Sequence, residues 1–391
     1  MNTTKININR LSHLLALFSL SNGDLLSKIN IGLKKPLTED DLFGEEIKIS
    51  HLKKIDKLFK KGLSYYIDPK NITKSSAESI FFRKDNFNAE LNLEAKQIVN
   101  KFEEDKISFH TLAKLSDFKL NRKISVYDIT NDPRKVSNEV RDLLYPEFDK
   151  NNKKFLENFI SKLAENNILV FEFIDHPKKK EKANINGFYL SPDVIVLKRN
   201  QKSFNREIFT LVHELGHYLL NKEEIDDNID NEMFHKKTLS VVEKWCNDFA
   251  FYFLVSKFDK TIETLEIATK ENDYHTDTLR KVSENTHLSA IALYTRLLLN
   301  NKISPSNYKN ITTHFFNKIR EREALEKQKL EIKKQKAIDE GRKPMGAIAK
   351  PILSPLYLKT LQSALYTGLL NEADFCRKLN INPLKIDKYL I

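Results

Sequence analysis

Along most of the chain, apolar residues recur every three or four positions, the spacing of one face of a helix. That rhythm predicts short helices over 10–19, 25–30 and 51–63, punctuated by Gly23, Gly32, Pro36 and Gly44. Residues 81–84 read as a linker, followed by an amphipathic helix over 90–103 with Leu91, Leu93, Ile98, Val99 and Phe102 as its apolar face. Asp132-Pro133 reads as a break and 138–144 as a short helix, with a further amphipathic helix over 155–166. The period changes at 168–173, I-L-V-F-E-F, whose branched and aromatic residues predict a strand. Two more short strands follow at 185–190 and 193–198, with Ser191-Pro192 between them.

Two helices beyond the strands are apolar on nearly every side. One is 209–220, F-T-L-V-H-E-L-G-H-Y-L-L, and the other is 242–254, with apolar residues at 242, 245, 246, 249, 250, 253 and 254. Helices are also expected over 261–271, 276–285 and 287–298. Residues 315–343 carry ten Lys or Arg against six Asp or Glu, with apolar residues too sparse for heptads, so they read as an exposed helix or flexible connector. Pro344, Pro351 and Pro355 break that run, and 356–369, 372–379 and a short helix from Asn382-Pro383 close the chain.

The first of the two apolar helices carries an H-E-x-x-H pattern: His213, Glu214 and His217. Positions i and i+4 share a helix face, so both imidazoles can reach one metal ion, and Glu214 can serve as general base for a water molecule. Such polar groups on a buried helix are costly to desolvate, and a metal compensates them. A tetrahedral site needs a third protein ligand. Glu243, twenty-six residues after His217, lies one helical turn from Asn247, so Glu243 can reach the metal while Asn247 orients it. Rivals are Asp248 on the same helix, the acidic stretch Glu223, Glu224, Asp226, Asp227, Asp230 and Glu232, and His235. A two-histidine, one-carboxylate set points first to zinc, although manganese or cobalt suits the same ligands. The stretch 185–189 is the candidate edge for docking an extended peptide, and Tyr189 or Tyr218 a candidate donor to an oxyanion. His287 reads as a capping or surface histidine.

At these residues the chain resembles a known family. R-E-I-F-T-L-V-H-E-L-G-H-Y-L-L-N (206–221) and E-K-W-C-N-D-F-A-F-Y-F-L (243–254) resemble the ImmA/IrrE family of zinc-dependent metallopeptidases. N-I-N-G-F-Y-L-S-P-D-V-I-V-L (184–197) is similar to the strand pair that precedes that family's active-site helix. The resemblance covers about 155–300. It implies a zincin-like fold with His213, His217 and Glu243 on Zn2+ and Glu214 as base. Cys246 stands where the family usually has alanine, and Leu254-Val255-Ser256 replaces its usual Leu-Met-Pro exit. Both departures bear on packing rather than on a ligand.

The expected fold is mainly α with a small β-sheet (α+β), a metallopeptidase core flanked by helical N- and C-terminal regions. The expected division is 1–80 helical, 81–154 a helical linker region, 155–300 the peptidase domain, 301–355 a charged connector and 356–391 a small helical tail. A degenerate helix-turn-helix is a candidate within 1–80, where L-S-N-G-D-L-L-S-K-I-N has the rhythm of a turn into a second helix. The segment 34–41 then supplies no clear base-reading face.

Composition alters this picture little. A chain of 391 residues exceeds one ordinary core, and nine glycines among them suit a helical protein. Two cysteines give no disulfide framework and no apolar run spans a bilayer, so a cytoplasmic location and no membrane partner are expected. A net charge of +11 permits DNA as a partner without requiring it. The expected activity is cleavage of a specific intracellular regulatory protein, a repressor or antitoxin. The alternative is a DNA-associated regulator, or a toxin–antitoxin or phage-defence component, whose zinc domain binds a partner.

Overall fold

The structure is a computed structural model that describes residues 2–44, 46–70, 91–175, 181–199, 201, 203–225, 239–342 and 349–390. The linker read at 81–84, residues 177–180, and Asp226, Asp227, Asp230, Glu232 and His235 lie outside the described residues. The chain divides into two units, 1–104 with 181–184, and 105–180 with 185–391.

In the first unit, β1 (Thr3–Lys5) leads to α1 (Ile8–Leu17), α2 (Asn22–Asn30) and α3 (Asp40–Phe43). Then come β2 (Glu46–Lys48), α4 (Ile49–Phe59), α5 (Leu63–Ile67) and α6 (Leu93–Leu115), the last reaching past residue 104. Helix α2 starts earlier than its apolar rhythm because Ser21 and Asp24 form a reciprocal capping box. Helix α4 stops at Phe59, where Lys60 turns left-handed. Leu11, Leu14, Phe18, Leu25, Leu52, Ile55 and Phe59 make this unit's core. The antiparallel β1–β2 ribbon was not legible, since three residues show no alternation.

The second unit is built on a three-stranded sheet of β3 (Leu169–Ile174), β4 (Gly187–Leu190) and β5 (Val194–Arg199). The order is β3-β5-β4, with β5 parallel to β3 (Leu169 opposite Val194) and antiparallel to β4 (Leu190 opposite Val194). Val194, Ile195, Val196 and Leu197 are all fully buried, so β5 reads as a continuous apolar run rather than an alternation. Before the sheet come α7 (Pro133–Leu144) and α8 (Asn152–Glu165). Asp132-Pro133 is a helix start, not a break: the Asp132 side chain accepts from Arg134 N, and Pro133 occupies the first turn, where no N–H is needed.

After the sheet, α9 (Phe204–Leu220) packs on β4 and β5, and α10 (Val241–Val255) packs between α9 and α7. Phe155, Phe159, Val170, Ile195, Leu211, Leu215, Phe249 and Phe253 form the core between these layers. The helix expected over 261–271 is only α11 (Asp259–Thr264). Ala268 instead pairs in a parallel bridge with Ile303, taking the backbone groups that a longer helix would have used.

Helices α12 (Thr276–Glu284), α13 (Ala290–Leu299) and α14 (Pro305–Asp339) follow. Helix α14 packs through its first turns, where Tyr308 and Thr312 are buried; its charged remainder leaves Leu325, Leu330, Ile332 and Ile338 exposed. Helices α15 (Pro355–Tyr366) and α16 (Glu372–Leu379) and a 3-10 turn (Pro383–Tyr389) end the chain, with α15 packed on α8. The fold is mainly α with small sheets. Among the described residues, no helix is long and apolar enough to cross a membrane.

Candidate metal centre

Helix α9 begins at Ser203, whose hydroxyl caps Arg206 N, and ends where Asn221 adopts the left-handed conformation at φ 50°. Within it His213 and His217 stand one turn apart. Helix α10 begins at Ser240, whose hydroxyl accepts from Glu243 N, so Glu243 sits in the first turn, where the helix dipole favours a carboxylate. The two helices approach closely at Gly216: a Cβ there would lie 3.0 Å from Cys246 Sγ and 3.2 Å from Cys246 Cα.

This approach brings three donors together. His213 Nε2 lies 3.1 Å from Glu243 Oε2, His217 Nε2 lies 3.1 Å from Glu243 Oε1, and the two Nε2 atoms are 3.2 Å apart. All three side chains are almost fully buried. Among the described residues, no other group of three histidine, cysteine or carboxylate ligand atoms is gathered so tightly.

The outer ring nitrogens decide which atoms face inward. His213 Nδ1 donates to Asn247 Oδ1 at 3.0 Å and His217 Nδ1 to the Lys222 carbonyl oxygen at 3.2 Å. With Nδ1 carrying the proton, each neutral ring turns its Nε2 lone pair inward. Two lone pairs and a carboxylate therefore converge, and neither Glu243 oxygen makes a well-directed hydrogen bond. Such a set holds together only around a positive charge.

Without a metal, a proton supplies that charge. Burial would raise the Glu243 carboxyl, yet His217 and His213 hold it well below the ordinary carboxylate range. Burial would lower His217, yet Cys246 and Glu243 raise it well above the usual imidazole value. The Cys246 thiol is itself pushed up to about 11 by burial and stays neutral, so Glu243 supplies the charge. The residues fit a metal ion bound through three protein ligands.

Glu214 is buried and shares with these ligands a small cleft, also lined by Asn186, Gly187 and Glu224. The start of β4 runs directly against it: a Cβ on Gly187 would lie 3.1 Å from Glu214 Cγ and Oε1, and 2.8 Å from Thr210 Cγ2.

Residues 164–298 match the model of the IrrE N-terminal-like domain, a peptidase family. The match supports ImmA/IrrE family membership for this part of the chain. No curated protein and no solved structure matches the chain.

The matched zincin-like domain thus contains the sheet from Leu169 and helices α9, α10, α11, α12 and most of α13. Several residues singled out from the sequence stand elsewhere in it. Asn247 holds His213 rather than Glu243. Asp248 turns away and pairs with Arg296 at 2.5 Å. Glu223 accepts from Ser191 N at 2.7 Å, and Glu224 reaches the cleft wall while accepting from Ser240 Oγ at 2.7 Å. Neither tyrosine lines the cleft: the Tyr189 hydroxyl donates to Asn221 Oδ1 at 2.9 Å, and Arg122 covers the Tyr218 ring at 3.8 Å.

His287 is neither capping nor exposed. It is buried, stacked on Phe155 at 3.8 Å, with Nδ1 2.8 Å from Asn152 Oδ1. Ser289 caps α13 in its place. The Lys222 carbonyl escaped the sequence reading, whereas Asn186 and Gly187 fall within the expected cleft edge 185–189 without having been singled out. The N-G pair at 186–187 before an apolar strand was the available signal for the last two.

Proposed function

We propose that this protein is a zinc-dependent metallopeptidase of the ImmA/IrrE type that cleaves one specific intracellular regulatory protein, a repressor or an antitoxin. The observation that carries the reading is the convergence of His213 Nε2, His217 Nε2 and the Glu243 carboxylate beside the buried Glu214 carboxyl. Those three side chains would hold zinc, which when bound would supply Lewis acidity at the scissile carbonyl and at water.

The chain's own residues do the rest. Glu214 takes a proton from the attacking water and returns it to the departing amine nitrogen as the C–N bond breaks. Its near-complete burial strengthens that exchange, because little bulk water screens it. Asn247 and the Lys222 carbonyl fix the two imidazoles. The N-terminal end of β4 offers main-chain groups beside Glu214 for an extended substrate. The small cleft supports a narrow substrate range, since only a segment that can be threaded or presented in extended form reaches the base.

The test is metal content of the purified full-length protein beside His217→Ala, Glu243→Ala and Glu214→Gln. About one zinc per chain is expected in the wild type and in Glu214→Gln, and none in the other two. Zinc retained by Glu243→Ala would move the third ligand elsewhere. No zinc in the wild type, even after its addition, would overturn the reading. A cellular effect that survives Glu214→Gln with zinc bound would assign the domain to partner binding instead of hydrolysis.

A further inference from the structure

We infer that Asn186 is a further catalytic residue, its side-chain amide donating a hydrogen bond to the scissile carbonyl oxygen of the substrate as that oxygen gains negative charge. The inference rests on the metallopeptidase reading and adds to it the donor that the sequence had sought among the tyrosines.

Asn186 lines the same cleft as His213, Glu214, His217 and Glu243. It is only 8% exposed, and its Nδ2 has no hydrogen-bond partner among the described residues. Buried amides are almost always paired, so an orphaned donor in a catalytic cleft marks the place of a group that arrives with the substrate. A carbonyl oxygen that becomes an oxyanion is the acceptor such a cleft presents.

The surroundings hold Asn186 rigidly through its backbone. Its carbonyl accepts from Lys198 N at 2.8 Å, and Gln201 Nε2 lies 3.5 Å away while also donating to the Lys198 carbonyl at 2.9 Å. The next residue is Gly187, where an added Cβ would lie 3.1 Å from Glu214 Oε1. The amide donor is therefore carried by a fixed segment adjacent to the base, as preorganised stabilisation requires. The competing candidates are spent: the Tyr189 hydroxyl is bonded to Asn221, and Tyr218 lies under Arg122. Glu224, the remaining cleft side chain, is an acceptor in the structure, taking a hydrogen bond from Ser240 Oγ.

Acetohydroxamate is the probe. Its carbonyl oxygen takes the place of the scissile one when it chelates zinc, and it carries no flanking peptide, so it senses only donors at the reacting atom. Calorimetric titration of the zinc-loaded full-length protein is compared with Asn186→Ala and with Asn186→Asp, which keeps the side chain's shape and removes the N–H donor. Both variants are expected to bind one zinc like the wild type and to bind acetohydroxamate about tenfold more weakly or worse, the range for a lost bond to a charged group. Unchanged acetohydroxamate affinity in both variants would overturn the assignment, as would loss of zinc from both, which would make Asn186 a structural support. A wild type that takes up no zinc would remove the peptidase reading and this inference with it.

Discussion

Asn247 Oδ1 lies 3.0 Å from His213 Nδ1, so a side chain on the second helix sets the tautomer of a ligand on the first. Both Glu243 and Asn247 belong to α10, one turn apart, and they grip the same imidazole from its two sides. Asn247→Ala leaves the Nδ1–H without its acceptor, and zinc affinity is expected to fall about 10–100-fold, read by competition with a chelator. Asn247→Asp retains an acceptor oxygen and should stay close to wild type. Equal affinity in the alanine variant would show that the ring needs no such anchor.

Gly187 is required by the space that Glu214 and Thr210 fill. Gly187→Ala forces a methyl to 2.8 Å from Thr210 Cγ2 and 3.1 Å from Glu214 Oε1. The expected result is a stability loss of about 1–3 kcal/mol in denaturant unfolding, together with a displaced base and slower cleavage. Adding Thr210→Ser removes the methyl that is struck while keeping a hydroxyl for the Arg206 carbonyl. The double variant should therefore regain part of the stability.

At Gly216 two effects oppose each other. Alanine in a helix interior is favoured over glycine by roughly 0.5–1 kcal/mol, whereas overpacking costs about 1–3 kcal/mol. With Cys246 Sγ at 3.0 Å and Cys246 Cα at 3.2 Å, overpacking wins, and Gly216→Ala is expected to destabilise and to loosen the metal. Cys246→Ala in the same chain relieves the sulfur contact but not the backbone one, so recovery in thermal unfolding should be partial. A stabilised Gly216→Ala would show that the helices can shift apart freely.

Burial lowers His287 to about 4, with Asp149 opposing only slightly. Its folded value lies below the ordinary 6.5, so the neutral ring contributes stability that is complete above pH 6.5 and lost as the pH falls towards 4. The full effect is about 3 kcal/mol. Unfolding measured at pH 7 and pH 4.5 should show the loss in the wild type and a smaller one in His287→Gln. Identical slopes would place the acid sensitivity in other groups.

The strongest signals in the sequence were periodic and local. His213 and His217 declare their shared face by spacing alone, and Glu243 follows because helical spacing turns it the same way as Asn247. What stayed hidden depends on partners distant in sequence. Nothing in the residue Lys222 announces that its carbonyl will meet His217 Nδ1, since the meeting requires Asn221 to turn left-handed. His287 looked like a surface residue because a polar ring at a helix start usually is one, and only Phe155 and Asn152, over 130 residues earlier, bury it. Asp132-Pro133 read as a break because the same dipeptide that ends one element also caps the next. The helix at 261–271 failed where Ala268 found Ile303 as a competing backbone partner.

The exit from α9 has a mechanical consequence. Lys222, Glu223 and Glu224 fasten in turn to His217, to the end of β4 at Ser191 and to the cap of α10 at Ser240. Three successive residues thus rivet together a ligand, the cleft edge and the helix that bears the third ligand. Displacing any one of Lys222, Glu223 and Glu224 therefore disturbs the His217 ring, the cleft edge and the start of α10 together.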